Sequence, residues 1–343
     1  MVPYTPGEQP RDMEYVKLNT NESPFPPSKK VIEAVNSLEV EKLNLYPDPT
    51  CKALISKLAE TYGVGEENVF VSNGSDDILN FSFMAFCDKD KGAIFPEISY
   101  GFYEVYADLY GIDYKKVPLT KDFAITPSDY FESGKTVVIA NPNAPTGLAL
   151  TLAEIESILK ANQNDVVIID EAYVDFGAQS AVSLTQKYNN LIVVMTFSKS
   201  RSLAGGRLGF AIAHKDLISD LNTIKYSTNP YNINRLTMVA GIASLEDADY
   251  YKNCNKNTME VREYTKTELE KRGFSLTNSK ANFLFAKCGK IGGEQYYSAL
   301  KSKGVLVRHF KNEKIKDYVR ITIGTKEQMD VLLKKTDEIL NEV

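Results

Sequence analysis

The sequence predicts an α/β protein with a mostly parallel central sheet sandwiched by helices, followed by a smaller α+β domain. Three observations carry this. Strand and helix patterns alternate from about residue 30 to 215, which is the signature of a parallel sheet with covering helices. DVVIID (165–170), LIVVMTF (191–197) and RLGFAIA (207–213) are unbroken apolar runs, as strands buried on both faces require. After about residue 230 the alternation gives way to long helices and then to short strands interleaved with helices. The expected division is an N-terminal arm and start of the small domain over 1–45, a large domain over 46–235 and a small domain over 236–343.

Prolines at 3, 6, 10, 24, 26 and 27 predict an extended arm for the first 30 residues. Ser28 is placed to cap a helix carrying Val31, Ile32 and Val35. Thr50 is placed to cap another carrying Leu54, Ile55 and Leu58, which Gly63 ends. NVFV (68–71) reads as a strand, and a helix follows over Asp77–Phe86. GAIF (92–95) and TVVIA (136–140) read as buried strands. Thr151 and Glu154 form a capping box for a helix reaching Lys160. Beyond the three apolar runs, one or two helices cover roughly 232–272. Strands are expected near 282–287, 304–309 and 318–323, and a last helix from Thr325.

Composition narrows the chemistry. Forty Lys+Arg against 45 Asp+Glu leave a net charge of −5, which offers no basic surface for nucleic acid. The two histidines, His214 and His309, are far apart, and Cys51, Cys87, Cys254 and Cys288 show no C-x-x-C spacing, so no metal site is expected. Four scattered cysteines read as reduced thiols in a cytoplasmic protein. The N-terminus lacks the apolar run of a signal peptide, and no stretch approaches the roughly 20 apolar residues of a membrane span. Acid–base chemistry must then come from Lys, Asp, Glu, Tyr or a cofactor.

Polar residues standing where buried strands end are the first candidates, because open α/β sheets bind ligands at the carboxyl ends of their strands. In SNGSDD (72–77), Gly74 permits a sharp turn and the N–H groups of Ser75, Asp76 and Asp77 would face a phosphate; taken alone, the motif fits an ordinary capped helix start better. ANPNAPTG (140–147) offers Asn141, Asn143 and Thr146, or is simply a tight loop. In DEAYVDF (170–176), Asp170 follows an apolar run and needs a cation or a strong donor, or acts as a helix cap; Tyr173 can reach the same ligand. In TFSKSRSLAGGRLGF (196–210), Lys199 follows a buried strand and Arg207 follows a Gly-Gly turn. A lysine withdrawn from water near cations suits attack on carbonyls, whereas a surface lysine would snorkel. Together these residues supply what pyridoxal phosphate requires: a phosphate cradle, a carboxylate, a phenol and an imine-forming lysine.

This set resembles the fold-type-I pyridoxal-phosphate aminotransferases from end to end. PYTPGEQP (3–10), LNTNESPFPPS (18–28), LYPDP (45–49), GSDDIL (74–79), SYGFY (99–103), the Asn-Pro loop, DEAY (170–173), the lysine segment and YVRITIGT (318–325) carry the likeness. The resemblance implies an aspartate-aminotransferase-like fold in a homodimer. It implies that Lys199 bonds to the cofactor's aldehyde and then moves a proton. Asp170 keeps the pyridine nitrogen protonated, so that the ring accepts electrons. Tyr173 donates to the phenolate oxygen, and Tyr100 lies against the ring. Gly74, Ser75, Asp76, Ser198 and Arg207 surround the phosphate, with Tyr46 reaching it from the neighbouring subunit. In one departure, Ala144 stands where the family has an asparagine that bonds the phenolate oxygen. Either Asn143 or Asn141 substitutes, or Tyr173 acts alone.

Within the family the opening PYTPGEQP favours the branch acting on histidinol phosphate with glutamate or 2-oxoglutarate. Arg320 and Arg308, on adjacent predicted strands, suit a phosphate ester in one half-reaction and a carboxylate in the other. Asn21 and Glu22 of the arm join them as substrate-binding candidates. The competing readings on this fold are an aromatic or broad-specificity aminotransferase and a threonine-phosphate decarboxylase. A non-enzymatic binding module and a nicotinamide oxidoreductase are disfavoured by charge and by the absence of G-x-G-x-x-G.

Overall fold

The computed structural model describes residues 2–342. The chain runs through β1 (Val16–Lys17), α1 (Lys29–Val35), α2 (Lys52–Tyr62), β2 (Val69–Ser72), α3 (Gly74–Phe86), β3 (Ala93–Pro96), α4 (Phe102–Tyr110) and β4 (Tyr114–Val117). It continues through β5 (Thr136–Ala140), α5 (Leu152–Ala161), β6 (Val167–Asp170), β7 (Leu191–Thr196) and β8 (Gly209–Ala213). Helices α6 (Lys215–Thr228), α7 (Arg235–Glu246) and α8 (Ala248–Lys271) follow, then β9 (Phe274–Leu276), β10 (Phe283–Cys288) and α9 (Gly293–Ser302). The last elements are β11 (Val305–Leu306), β12 (Arg308–His309), β13 (Tyr318–Thr322) and α10 (Lys326–Asn341).

The seven-stranded sheet has the order β2-β8-β7-β6-β5-β3-β4 and is parallel except for β8, which runs against both neighbours. Alternation explains the unbroken apolar runs. Val137, Ile139, Val167, Ile169 and Val193 point into one core, while Val138, Ile168, Ile192 and Val194 point into the other. Helices cover both faces, so each residue of these strands needs an apolar side chain. Because β8 is reversed, its first residue lies beside the last residues of β2 and β7: Gly209 registers with both Ser72 and Thr196. One sheet edge therefore gathers Gly74, Asp170, Lys199 and Arg207.

The second unit is the antiparallel sheet β12-β13-β10-β9, backed by α8, α9 and α10. The arm joins it through β1, which pairs parallel with β11, and through Leu18 in its core. Helix α1, expected before residue 45 with the small domain, instead packs in the large core beside Met238 and Ala243 of α7. The change of packing partner lies inside α8, between Tyr251 in the large core and Val261 in the small one, later than the expected boundary at 235. A continuous helix gives no break in composition at that point. Among the described residues no helix is long and apolar enough to cross a membrane.

Ser28 caps α1, and Thr151 with Glu154 forms the expected capping box. Thr50 does not cap α2. Asp48 takes that role, accepting from Lys52 N–H at 3.0 Å and from the N–H and hydroxyl of Thr50 at 2.9 and 2.7 Å. A carboxylate satisfies more of the free N–H groups than a hydroxyl can.

Candidate functional site

Beyond β7 the chain turns over Phe197 and Ser198 and directs Lys199 into a cavity of about 880 Å³ between the sheet edge, the small domain and the arm. Lys199 Nζ donates to the carbonyl of Thr20 at 3.2 Å. Burial, and next the charge of Arg320, push its ammonium down to about 8. A neutral, nucleophilic amine is thus accessible near physiological pH.

Asp170 ends β6 on the cavity floor. Burial pushes its carboxyl up to about 6, and among the described residues no neighbouring cation offsets that burial. Two donors keep it ionisable: the hydroxyl of Tyr103 at 2.8 Å and, more weakly, the Ala172 N–H at 3.3 Å. A buried carboxylate held by donors but lacking a counter-charge suits a cationic ligand group.

Glu171 has a different role. It is buried on the far side, accepts from Ala181 N–H and the Ser180 hydroxyl, both at 2.6 Å, and burial pushes it up to about 8. An acid raised in the folded state costs nothing below its ordinary value of 4.5 and its full penalty above about 8, so stability is lost as pH rises across that window. A Glu171→Gln variant removes the charge, keeps the bond from Ala181 N–H on its oxygen and reverses the other, its Nε2 donating to the Ser180 hydroxyl. It should be more stable than the wild type at pH 8, by on the order of a few kcal/mol, and nearly equal at pH 5. Thermal melts across that range check this; parallel profiles for the two proteins would refute it.

The opposite wall is built for an oxyanion. Gly74 takes φ +84°, and a Cβ there would lie 2.8 Å from Arg207 Nη2. A Cβ on Gly209 would lie 2.4 Å from the Ser75 nitrogen, so the turn, Arg207 and β8 leave no room for side chains at either glycine. Arg207 Nη2 donates to Asp76 Oδ2 at 3.0 Å, and the Tyr100 hydroxyl donates to Asp76 Oδ1 at 2.7 Å. Ser198 is oriented by Thr196, whose Oγ1 accepts from its N–H at 3.1 Å. The first turn of α3, two serine hydroxyls and a guanidinium thus face the same space.

On the small-domain side Arg320 is half-buried, with its Nε buried and unpartnered among the described residues. One Nη donates to the Asn19 carbonyl at 3.0 Å, and Phe283 and Phe310 flank the guanidinium at 5.4 and 5.9 Å. Arg308 pairs across from it in register and donates to the carbonyls of Thr5 and Pro6 at 3.0 and 3.2 Å. Two like charges directly opposite repel, which an anion between them would relieve.

Most predicted residues converge on this cavity: Ser75, Asp76, Tyr100, Asp170, Tyr173, Ser198, Lys199, Arg207, Arg308 and Arg320 line it, as do Asn21 and Glu22. Glu22 is already engaged, by Lys17 at 2.6 and 2.7 Å and by Thr20 at 2.6 Å. Asn143 is not brought in. Its amide donates to Ile98 O and Thr146 Oγ1 and accepts from Ser99, because the tight 141–147 loop needs those bonds to hold itself. Asn141 is likewise spent on the N–H and carbonyl of Leu150. Ala144 lines the cavity in their place. Tyr46 lies outside its own chain's cavity, stacked on Tyr231 and 79% exposed. Sequence reasoning missed Tyr103, the Thr20 carbonyl and Tyr4, which lines the cavity and stacks on Phe102 at 4.3 Å.

A doubly wound α/β sheet presenting an imine-capable lysine, a buried carboxylate and an oxyanion cradle defines an enzyme of amine–carbonyl chemistry. Residues 13–335 match the family described as aminotransferase class I and II. The chain is 50% identical over 339 residues to a histidinol-phosphate aminotransferase of Brachyspira hyodysenteriae, covering 98% of this chain and 96% of that one. It superposes on the crystal structure of the histidinol-phosphate aminotransferase from Clostridium acetobutylicum with a TM-score of 0.89 at 23% identity, covering 95% and 99% of the two chains. It also superposes on that from Sinorhizobium meliloti in complex with pyridoxal-5'-phosphate, with a TM-score of 0.85 at 22% identity, covering 95% and 90%. The chain belongs to the class I and II aminotransferases, a pyridoxal-phosphate-dependent family, and is an enzyme.

Proposed function

We propose that the enzyme exchanges an amino group between L-histidinol phosphate (or imidazole-acetol phosphate) and 2-oxoglutarate (or glutamate), in a ping-pong sequence within histidine biosynthesis. Pyridoxal phosphate is the cofactor, and the donor set fits it. The cradle of Ser75, Asp76, Ser198 and Arg207, with no space for a Cβ at Gly74 or Gly209, suits its phosphate. Asp170 would pair with the protonated ring nitrogen, Tyr100 would lie against the ring, and Tyr173 would donate to its phenolic oxygen. When bound, the cofactor supplies a ring that stabilises negative charge on the substrate's α-carbon.

Lys199 would hold the cofactor covalently, then remove and return a proton at the substrate's α-carbon. Arg320 is the observation that carries the substrate reading. It is a half-buried guanidinium whose buried Nε has no partner among the described residues, and its charge is the largest one depressing Lys199. An anion paired with Arg320 would relieve that repulsion and make Lys199 a stronger base when substrate is present. Arg308 beside it extends the receptor from a carboxylate to a phosphate ester. Tyr46, with exposed Leu43, Leu45 and Tyr231 near it in sequence or contact, supports a homodimer in which Tyr46 of the partner subunit reaches the phosphate.

The test compares kcat/KM of the holoenzyme for L-histidinol phosphate, phenylalanine and threonine phosphate. Histidinol phosphate should be preferred over phenylalanine, which lacks the phosphate, by about 10²-fold or more, the difference a properly placed anion receptor makes, and should be preferred over threonine phosphate as well. No preference for it would overturn the substrate assignment. Borohydride should fix the cofactor's mass to the peptide carrying Lys199.

Tyr103 gives a further expectation. A Tyr103→Phe variant keeps the ring and removes the donor that favours ionised Asp170, so the carboxyl should titrate at still higher pH. At pH 7 cofactor affinity should fall by about tenfold, and the acid limb of binding should move upward. Equilibrium titration of apoenzyme with cofactor at several pH values checks this; an unmoved limb would refute it.

A further inference from the structure

The 141–147 loop gives the cofactor's phenolic oxygen no asparagine, yet an asparagine from another part of the chain meets Tyr173. Asn21, in the arm, is buried with a left-handed backbone of φ 57°. Its N–H donates to Thr322 Oγ1 at 2.9 Å, and the Thr322 hydroxyl donates to Asn21 Oδ1 at 3.0 Å. Its carbonyl accepts from Asn282 Nδ2 at 3.0 Å, and its own Nδ2 donates to the Tyr173 hydroxyl oxygen at 3.0 Å.

These bonds have a direction. The Thr322 oxygen receives a backbone proton, which leaves its own proton for Oδ1. The reversed amide would strand that proton inside the protein, at the cost of an unsatisfied buried donor. Nδ2 therefore faces Tyr173, whose oxygen accepts. The phenolic proton has no acceptor among the described residues, and Tyr173 borders the cavity.

We infer that Asn21 is a positioning residue that fixes Tyr173 as a hydrogen-bond donor to the cofactor's phenolic oxygen, in compensation for Ala144. The inference rests on the pyridoxal-phosphate reading above. It also ties the donor to domain position, since Thr322 and Asn282 belong to the small domain and Tyr173 to the large one. Movement of the small domain would loosen the donor's alignment.

An Asn21→Asp variant reverses the bond, because a carboxylate only accepts and Tyr173 would turn its proton toward it. Holoenzymes of the wild type, N21D, Y173F and the double variant are titrated with pH, reading the near-visible absorbance of the bound cofactor. Losing the donor destabilises the cofactor's deprotonated oxygen, so the midpoint should rise in N21D and in Y173F. The introduced charge also raises it directly, and the Y173F background measures that part alone. The N21D shift should be larger by about one pH unit when Tyr173 is present. Equal shifts in both backgrounds overturn the inference. If N21D does not load, Asn21→Gly, which tolerates the left-handed backbone, decides by the same comparison: a shift present with Tyr173 and lost with Phe is expected. A wild-type protein that binds no cofactor would instead overturn the reading on which the inference rests.

Discussion

A Lys199→Ala enzyme will fold and lose turnover by about 10³- to 10⁴-fold or more, because one side chain supplies both the covalent anchor and the proton carrier. The same substitution should not destabilise the protein at neutral pH. The lysine's folded value near 8 lies below the ordinary 10.5, so burying the ammonium carries its full penalty below about pH 8, and that penalty fades as pH rises toward 10.5. Alanine removes the charge and its penalty. Melting temperature of the cofactor-free variant at pH 7 should therefore match or exceed that of the cofactor-free wild type, while borohydride no longer attaches cofactor to the protein. Retained turnover with a normal melt would sink the assignment of Lys199.

The sheet and the positions of the main polar groups were legible because desolvation constrains them strongly. Strands buried on both faces leave unbroken apolar runs, so a charged residue at their ends is conspicuous, as Asp170 and Lys199 are. Elements at the sheet margin were not legible. Strand β4 is an edge strand of sequence YKKV with its two lysines exposed, and edge strands are kept short and charged. Helix α4 was missed although Tyr103, Tyr106 and Tyr110 recur at helical spacing. Their hydroxyls serve Asp170, Asp76 and Asn80, and a row of tyrosines reads as neither core nor surface.

The choice left open at Ala144 has a similar cause. Asn143 is close in sequence to the family's position, but local loop bonds consume it. Asn21 reaches Tyr173 only because Thr322, 301 residues away, holds its amide in one orientation. Neither fact is encoded in local spacing. The family resemblance located the departure at Ala144, and only the three-dimensional hydrogen-bond directions identify what stands near enough to answer it.

Replacing Arg320 by Met should move stability and catalysis in opposite directions. The guanidinium is half-buried, its Nε is buried with no partner among the described residues, and burial pushes its pKa down. A cation so placed is a cost to the free enzyme, and an apolar side chain of similar length between Phe283 and Phe310 removes it. The apo variant should melt at or above the wild-type temperature. Substrate loses its charge-assisted partner, and kcat/KM for both the phosphate ester and the dicarboxylate should fall by about 10²- to 10³-fold. Lys199 should also become more basic without its main repulsive neighbour, so in the cofactor-free variant the titration of its free amine moves upward. A variant that kept normal kinetics for both substrates would show that the anion is held elsewhere. One that lost only the phosphate ester would separate the two half-reactions and assign the carboxylate to Arg308.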